Sequence, residues 1–216
     1  MSLITLKNVK KEYGKNQGLF ENLSLEIEKG EFVGLVGKSG AGKTTLLNII
    51  GLITDISEGT ITIDSHKNLS MNGKNAMILR RYTIGYLFQN YGLIEDESVL
   101  WNLKLALEYK KVKKEEKLKL INKYLKQFEL SDMLNKKVYQ LSGGEQQRIA
   151  IIKLILQGSQ IILADEPTSG LDKENELIVM KLLKELNEKG ITIIMVTHNM
   201  NLCDCFSRVI NVENFR

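Results

Sequence analysis

The chain has 216 residues, 43% hydrophobic and 26% charged, which excludes wholesale disorder and a fibrous repeat and suits a unit with a sizeable core. No run reaches the roughly 18 apolar residues of a membrane helix, and Met1-Ser2-Leu3-Ile4-Thr5-Leu6-Lys7 lacks the basic-then-apolar pattern of a secretory leader. A net charge of +4 is too weak to argue for nucleic acid, and Cys203 and Cys205 are too few for a disulfide framework.

In chain order, Leu23, Leu25 and Ile27 alternate with Ser24, Glu26 and Glu28, as do the residues of Thr60-Ile61-Thr62-Ile63. Both patterns predict half-exposed antiparallel strands. Continuous apolar runs at 32–36, 83–88, 161–164, 191–196 and 209–212 predict strands buried on both faces. Residues 90–157 carry no strand pattern. There Leu118, Ile121, Leu125 and Phe128 form a helical stripe inside a Lys/Glu-rich, solvated face. Val179, Leu182, Leu183 and Leu186 mark a later helix. The expected fold is α/β: a mostly parallel sheet flanked by helices, with an N-terminal antiparallel β-layer and a helical subdomain. One domain is expected over 1–216. Residues 1–89 supply the β-layer and the first part of the core, 90–157 the helical subdomain, and 158–216 the second part of the core.

Three motifs carry chemistry. Gly37-Lys38-Ser39-Gly40-Ala41-Gly42-Lys43-Thr44 fits G-x-x-x-x-G-K-[ST], between an apolar strand run and the helical pattern that starts at Thr45. Such glycines let backbone N–H groups turn toward phosphate oxygens, and the helix N-terminus adds positive charge. Lys43 suits the β- and γ-phosphates, and the Thr44 hydroxyl suits Mg²⁺. Second, residues 161–164 end in Asp165-Glu166. Carboxylates at a buried strand end are costly without a cation, so Asp165 suits Mg²⁺ and Glu166 the activation of an attacking water. Third, Leu141-Ser142-Gly143-Gly144-Glu145-Gln146-Gln147-Arg148 opens a helix. Ser142 and Glu145 have capping-box spacing, and the two glycines are expected to leave backbone N–H groups exposed as a second anion site. One phosphate loop and a separate anion-binding helix start suggest a head-to-tail dimer.

In this order the residues resemble the ATP-binding subunit of ABC transporters, whose signature motif residues 141–147 match. The resemblance implies a phosphate-loop NTPase core, ATP and Mg²⁺ as cofactors, and ATP hydrolysis. It assigns Tyr13 to adenine stacking and Gln89 to the loop that senses Mg²⁺ and water. It further assigns Ser169-Gly170-Leu171-Asp172 to the D-loop that crosses the dimer interface, and His198 to the γ-phosphate. It also implies an ATP-dependent homodimer in which Ser142, Gly143, Gly144 and Asp172 face the partner's nucleotide. A membrane permease on a separate chain and a peripheral position on the cytoplasmic face follow. Residues 89–99 with Asn102-Leu103 are similar to the macrolide-exporter and lipoprotein-release group, and to lactococcin-type bacteriocin exporters within it. That implies export of a peptide; the alternative is a lipoprotein-release or cell-wall-regulating complex. Lys153 stands where the family commonly has arginine, and the family's proline before the signature is missing from Lys137-Val138-Tyr139-Gln140. His66, Cys203 and Cys205 are assigned no site.

Overall fold

The computed structural model describes residues 2–14 and 18–215. Met1, at the head of the segment read for a leader, lies outside them. Strands β1 (Ser2–Glu12), β2 (Gly18–Glu28) and β4 (Glu58–Ile63) form an antiparallel sheet in the order β2-β1-β4. The alternation read for β2 and β4 is present. The central strand, β1, is not visible as a period of two. Its buried residues are Leu3, Ile4, Leu6 and Val9, because the register slips near Ser2 and again between Leu6 and Val9. Asn8, at φ 48°, takes up the second slip.

The second sheet joins β3 (Phe32–Val36), β5 (Ile84–Leu87), β6 (Ile161–Asp165), β7 (Thr192–Val196) and β8 (Arg208–Asn211) in the order β5-β6-β7-β3-β8, all parallel. The run expected at 83–88 shortens and that at 209–212 shifts back by one residue, each for a physical reason. Thr83 is the C-cap of the preceding helix, Phe88 leaves the ladder to stack on Tyr86, and Val212 starts a 3₁₀ turn. Alternate residues of β3, β6 and β7 enter different cores, whereas the edge strand β8 is mostly exposed. Val33, Leu35, Leu163, Ile194 and Val196 pack with the antiparallel sheet and with α1 (Lys43–Ile50). Phe32, Ile162, Ala164, Ile193 and Met195 pack with α3 (Val99–Ala106), α4 (Lys114–Gln127), α5 (Gly143–Gln157) and α6 (Lys173–Glu188). Helix α2 (Lys74–Tyr82) precedes β5. Ile121 and Leu125 of α4 and Phe128 at its C-cap bury as expected, whereas Leu118, one turn earlier, is 40% exposed and does not belong to the stripe.

Because all five strands run the same way, the segments that follow them emerge at one edge. Gln89 follows β5, Glu166 follows β6, His198 follows β7, and the loop starting at Gly37 follows β3. This carboxyl edge is where open parallel sheets place ligands.

The segment after Gln89 is tied down by a buried polar side chain. Asn102, fully buried on α3, accepts from the Ile94 N–H at 2.8 Å and donates to the carbonyls of Ile94 and Ser98, both at 3.1 Å. An isosteric apolar residue cannot replace these bonds and leaves the Ile94 N–H and the Ile94 and Ser98 carbonyls without their side-chain partner. Asn102→Leu is therefore expected to lower stability by about 2–4 kcal/mol, read as a lower urea midpoint with an unchanged m-value. A change within 0.5 kcal/mol or so would show that solvent or a neighbour satisfies Ile94 instead.

Candidate nucleotide site

The phosphate loop holds a geometry that glycine makes accessible. Gly37 sits at φ 142° and Gly42 at φ 95°. Gly42 is also the N-cap of α1, and a β-carbon there would fall 2.9 Å from the Phe20 ring. Ala41 donates its N–H back to the Lys38 carbonyl at 3.1 Å, closing the loop. The Lys43 ammonium is buried and donates to the carbonyls of Gly37 (2.8 Å) and Lys38 (2.9 Å). It is thus drawn over the loop's concave face, with its third hydrogen left for an anion.

Thr44, on the first turn of α1, donates its hydroxyl to Asp165 Oδ1 at 3.1 Å. Burial raises the Asp165 carboxyl above its ordinary value, Thr44's donation lowers it, and the charge of Glu166 raises it again. The charges of Lys43 and His198 lower it as well, yet the net shift is upward, so burial outweighs the positive charge nearby, which suits the site to a cation. Next to Asp165, Tyr86 donates its hydroxyl to Asn48 Oδ1 at 2.7 Å. Burial foremost, and then the charge of Asp165, hold the phenol protonated well above its usual range.

Glu166 adopts φ 48°, a conformation rarely taken by residues with a side chain and often found at functional sites. Its N–H is fixed to the Val196 carbonyl at 3.1 Å. Its carboxylate contacts His198 Nε2. The two differ sharply in access, with the Glu166 side chain 16% exposed and the His198 ring 61% exposed. The ring therefore covers the carboxylate from the solvent side.

Tyr13, Ser39, Gly40, Gly42, Lys43, Thr44, Thr45, Glu166 and His198 surround one cleft of 320 Å³, which Leu19 also lines. Tyr13 is half exposed, lies under the Lys11 ammonium (4.7 Å to the ring centroid), and its hydroxyl is 3.4 Å from Thr45 Oγ1. Gln89 is exposed, and among the described residues no hydrogen bond joins it to Thr44 or Asp165. Leu19 was missed by the sequence reading, since nothing in the first residues of β2 separates a cleft wall from an ordinary strand position.

Ser142, Gly143, Gly144 and Asp172 lie apart from this cleft. The capping box at Ser142 is complete. Glu145 Oε2 accepts from the Ser142 N–H at 2.7 Å, and Ser142 Oγ accepts from the Glu145 N–H at 3.3 Å. The expectation of two exposed glycines needs correction, because Gly144 is buried against Asn175. Asp172 caps α6 through Asn175, whose backbone and side-chain N–H groups hold its carboxyl below the usual range.

Among the described residues no cluster of three or more His, Cys, Asp or Glu could hold a metal. A cation beside Thr44 and Asp165 would therefore take its remaining oxygens from a phosphate group and water. That donor set is the habit of Mg²⁺. The site so built defines a phosphate-loop nucleotide-binding protein.

Comparison with known proteins narrows that class. A family model described as "ABC transporter" matches residues 20–169. The chain is 41% identical over 212 residues to the macrolide export ATP-binding/permease protein MacB of Campylobacter jejuni, covering 98% of this chain and 33% of that protein. It is 41% identical over 215 residues to an uncharacterised ABC transporter ATP-binding protein of Methanocaldococcus jannaschii, covering 98% of this chain and 96% of the relative. Among solved structures, the dimeric ABC transporter cassette MJ0796 superposes with TM-score 0.87 at 40% identity, over 96% of this chain and 93% of the other. A dimeric post-hydrolysis state of MJ0796 bound to ADP and phosphate gives TM-score 0.86 at 39% identity, with the same coverage. The chain belongs to the ABC transporter family, as an ATP-binding domain. It spans about a third of the length of the MacB relatives it matches.

Tyr13 provides a test of the cleft. A stacking platform contributes about 1–3 kcal/mol per base, so Tyr13→Ala should weaken ATP binding roughly 5- to 150-fold by calorimetry, while Tyr13→Phe keeps it. Unchanged affinity in the alanine variant would assign Tyr13 to packing alone.

Proposed function

We propose that this chain is the ATP-hydrolysing cassette of an ABC exporter, converting nucleotide binding and hydrolysis into movement of a membrane permease. One observation carries the proposal. Thr44 of the phosphate loop is bonded to Asp165 at the end of β6, and the adjoining Glu166 is held at φ 48° against His198 in the same cleft.

The proposed roles follow from this geometry. The backbone of residues 37–42 and the first N–H groups of α1 receive phosphate oxygens, with Lys38, Ser39, Ala41 and Thr45 shaping the loop around them. Lys43 turns its free hydrogen to the β- and γ-phosphates. Mg²⁺, when bound, neutralises phosphate charge. Thr44 and Asp165 would hold it, joined by Gln89 from the neighbouring strand end. Glu166 orients and deprotonates the attacking water, as a carboxylate that His198 keeps aimed and screened from solvent. His198, exposed at the mouth, is free to reach a γ-phosphate. Tyr13 carries the adenine.

Ser142, Gly143, Gly144 and Asp172 complete the site of a second copy, giving an ATP-dependent homodimer; the dimeric state of the solved MJ0796 cassettes supports this. A cavity of 420 Å³ between Ile53, Arg80, Tyr86, Phe88, Tyr91 and Lys153 lies beside Gln89 rather than at the nucleotide. It is the proposed seat of the permease. The macrolide-export names of the MacB relatives support export, and their description as ATP-binding/permease proteins supports a permease partner, here proposed on a separate chain. The cassette then rests peripherally on the cytoplasmic face of the membrane; among the described residues no helix is long and apolar enough to cross it. The proposed cargo is a peptide of the bacteriocin class.

Glu166→Gln separates binding from chemistry. Losing a general base lowers turnover about 10²- to 10⁴-fold, while the Lys43 and Thr44 contacts persist. The variant with Mg-ATP, at tens of micromolar (a range that captures weak complexes), should elute as a dimer on gel filtration and with ADP as a monomer. A variant that turns over ATP at the wild-type rate, or elutes identically with both nucleotides, would contradict the proposal.

A further inference from the structure

Asn175 sits where two segments assigned to the partner's nucleotide meet. Its backbone N–H and its Nδ2 donate to Asp172 Oδ1 and Oδ2, each at 2.8 Å. Its Oδ1 accepts from Arg148 Nη1 at 3.0 Å. A carboxylate accepts only and a guanidinium donates only, so these neighbours dictate which way the carboxamide faces. Among the described residues Arg148 Nε is buried without a partner, which leaves the Asn175 bond to orient the guanidinium. Gly144 closes the arrangement: a β-carbon there would fall 2.1 Å from Asn175 Oδ1. One side chain thus touches the first turn of α6, the capped end of the turn at 169–172, and the first two turns of α5.

We propose that Asn175 is a positioning residue that clamps the turn ending at Asp172 to the start of α5, so that both segments reach the partner's nucleotide in fixed register. Resting on the dimer proposed above, this gives Gly144 a second requirement: only hydrogen at that position lets the Asn175 amide reach between the helices. It also gives Arg148 a purpose within its own chain. Asp172 and Ser142 cap separate helices, and among the described residues no other hydrogen bond joins Asp172 to α5.

The test uses the full chain with Asn175→Ala and Asn175→Asp. Alanine removes both side-chain bonds and leaves the backbone cap. Aspartate keeps the size and the acceptor for Arg148 but faces Asp172 with a second carboxylate. Hydrogen exchange of the nucleotide-free chain is read first, because it needs no dimer. Alanine should speed exchange at 143–148 and 169–172 together, by about tenfold, the equilibrium change expected when one or two such bonds are lost. Aspartate should speed 169–172 and spare 143–148. In turnover, both variants should lose roughly tenfold in kcat while ATP affinity of the separate chain stays within about twofold. An alanine variant with unchanged exchange at 143–148, or with wild-type kcat, overturns the clamp. Joint loosening in a chain whose Glu166→Gln variant forms no ATP-dependent dimer upholds the clamp and removes the dimer proposal alone.

Discussion

The site depends on one bond between residues 121 positions apart, the Thr44 hydroxyl on the Asp165 carboxylate. It joins the helix that starts at the phosphate loop to the strand end that carries the acids. Both partners are placed by the parallel sheet. β3 delivers the loop and β6 delivers Asp165, with β7 between them. β7 in turn anchors the Glu166 backbone through the Val196 carbonyl. The loop, Asp165 and the His198-contacted Glu166 therefore meet because three strands run the same way and end at one edge. A slip of one residue in β6 would turn Asp165 to the other face of the sheet and break the bond.

The rest of the chain serves a different contact. The α3–α6 region packs on the opposite face of that sheet and holds the signature helix and the Asp172 turn away from the cleft. Each of these segments is rigidly capped, Ser142 by Glu145 and Asp172 by Asn175. Capped ends that lie apart from their own nucleotide cleft are what a head-to-tail pair requires. In the proposed dimer each copy would carry two half-sites, and closure would bring unlike halves together.

Much of this was legible in the residues. Four of the five apolar runs became parallel strands buried on both faces, which need no alternation to be recognised, whereas the run at 209–212 became the edge strand β8, which is mostly exposed. The G-x-x-x-x-G-K-T motif and the strand-end acids were readable because each lies contiguous in sequence beside the element that positions it. β1 was hidden by its bulges. Leu118 satisfied the helical spacing but sits a turn beyond the packed part of α4, and periodicity cannot show where packing ends. Gly144 was read as a bare backbone donor. Its true neighbour, Asn175, lies 31 residues away by sequence number and no local pattern reveals it. The same holds for Glu166, whose motif position was plain but whose strained backbone and His198 cover are tertiary facts.

The central claim is that Thr44 and Asp165 together make a cation site fused to the phosphate loop. Titrating ATP into the chain by calorimetry, with and without Mg²⁺, in wild type and Asp165→Asn tests it most directly. The substitution preserves shape and an acceptor for Thr44 but removes the charge. The account predicts that Asp165→Asn binds metal-free ATP as well as the wild type does, through Lys43 and the loop, and loses the added affinity that Mg²⁺ gives. An undiminished Mg²⁺ effect in Asp165→Asn would contradict it.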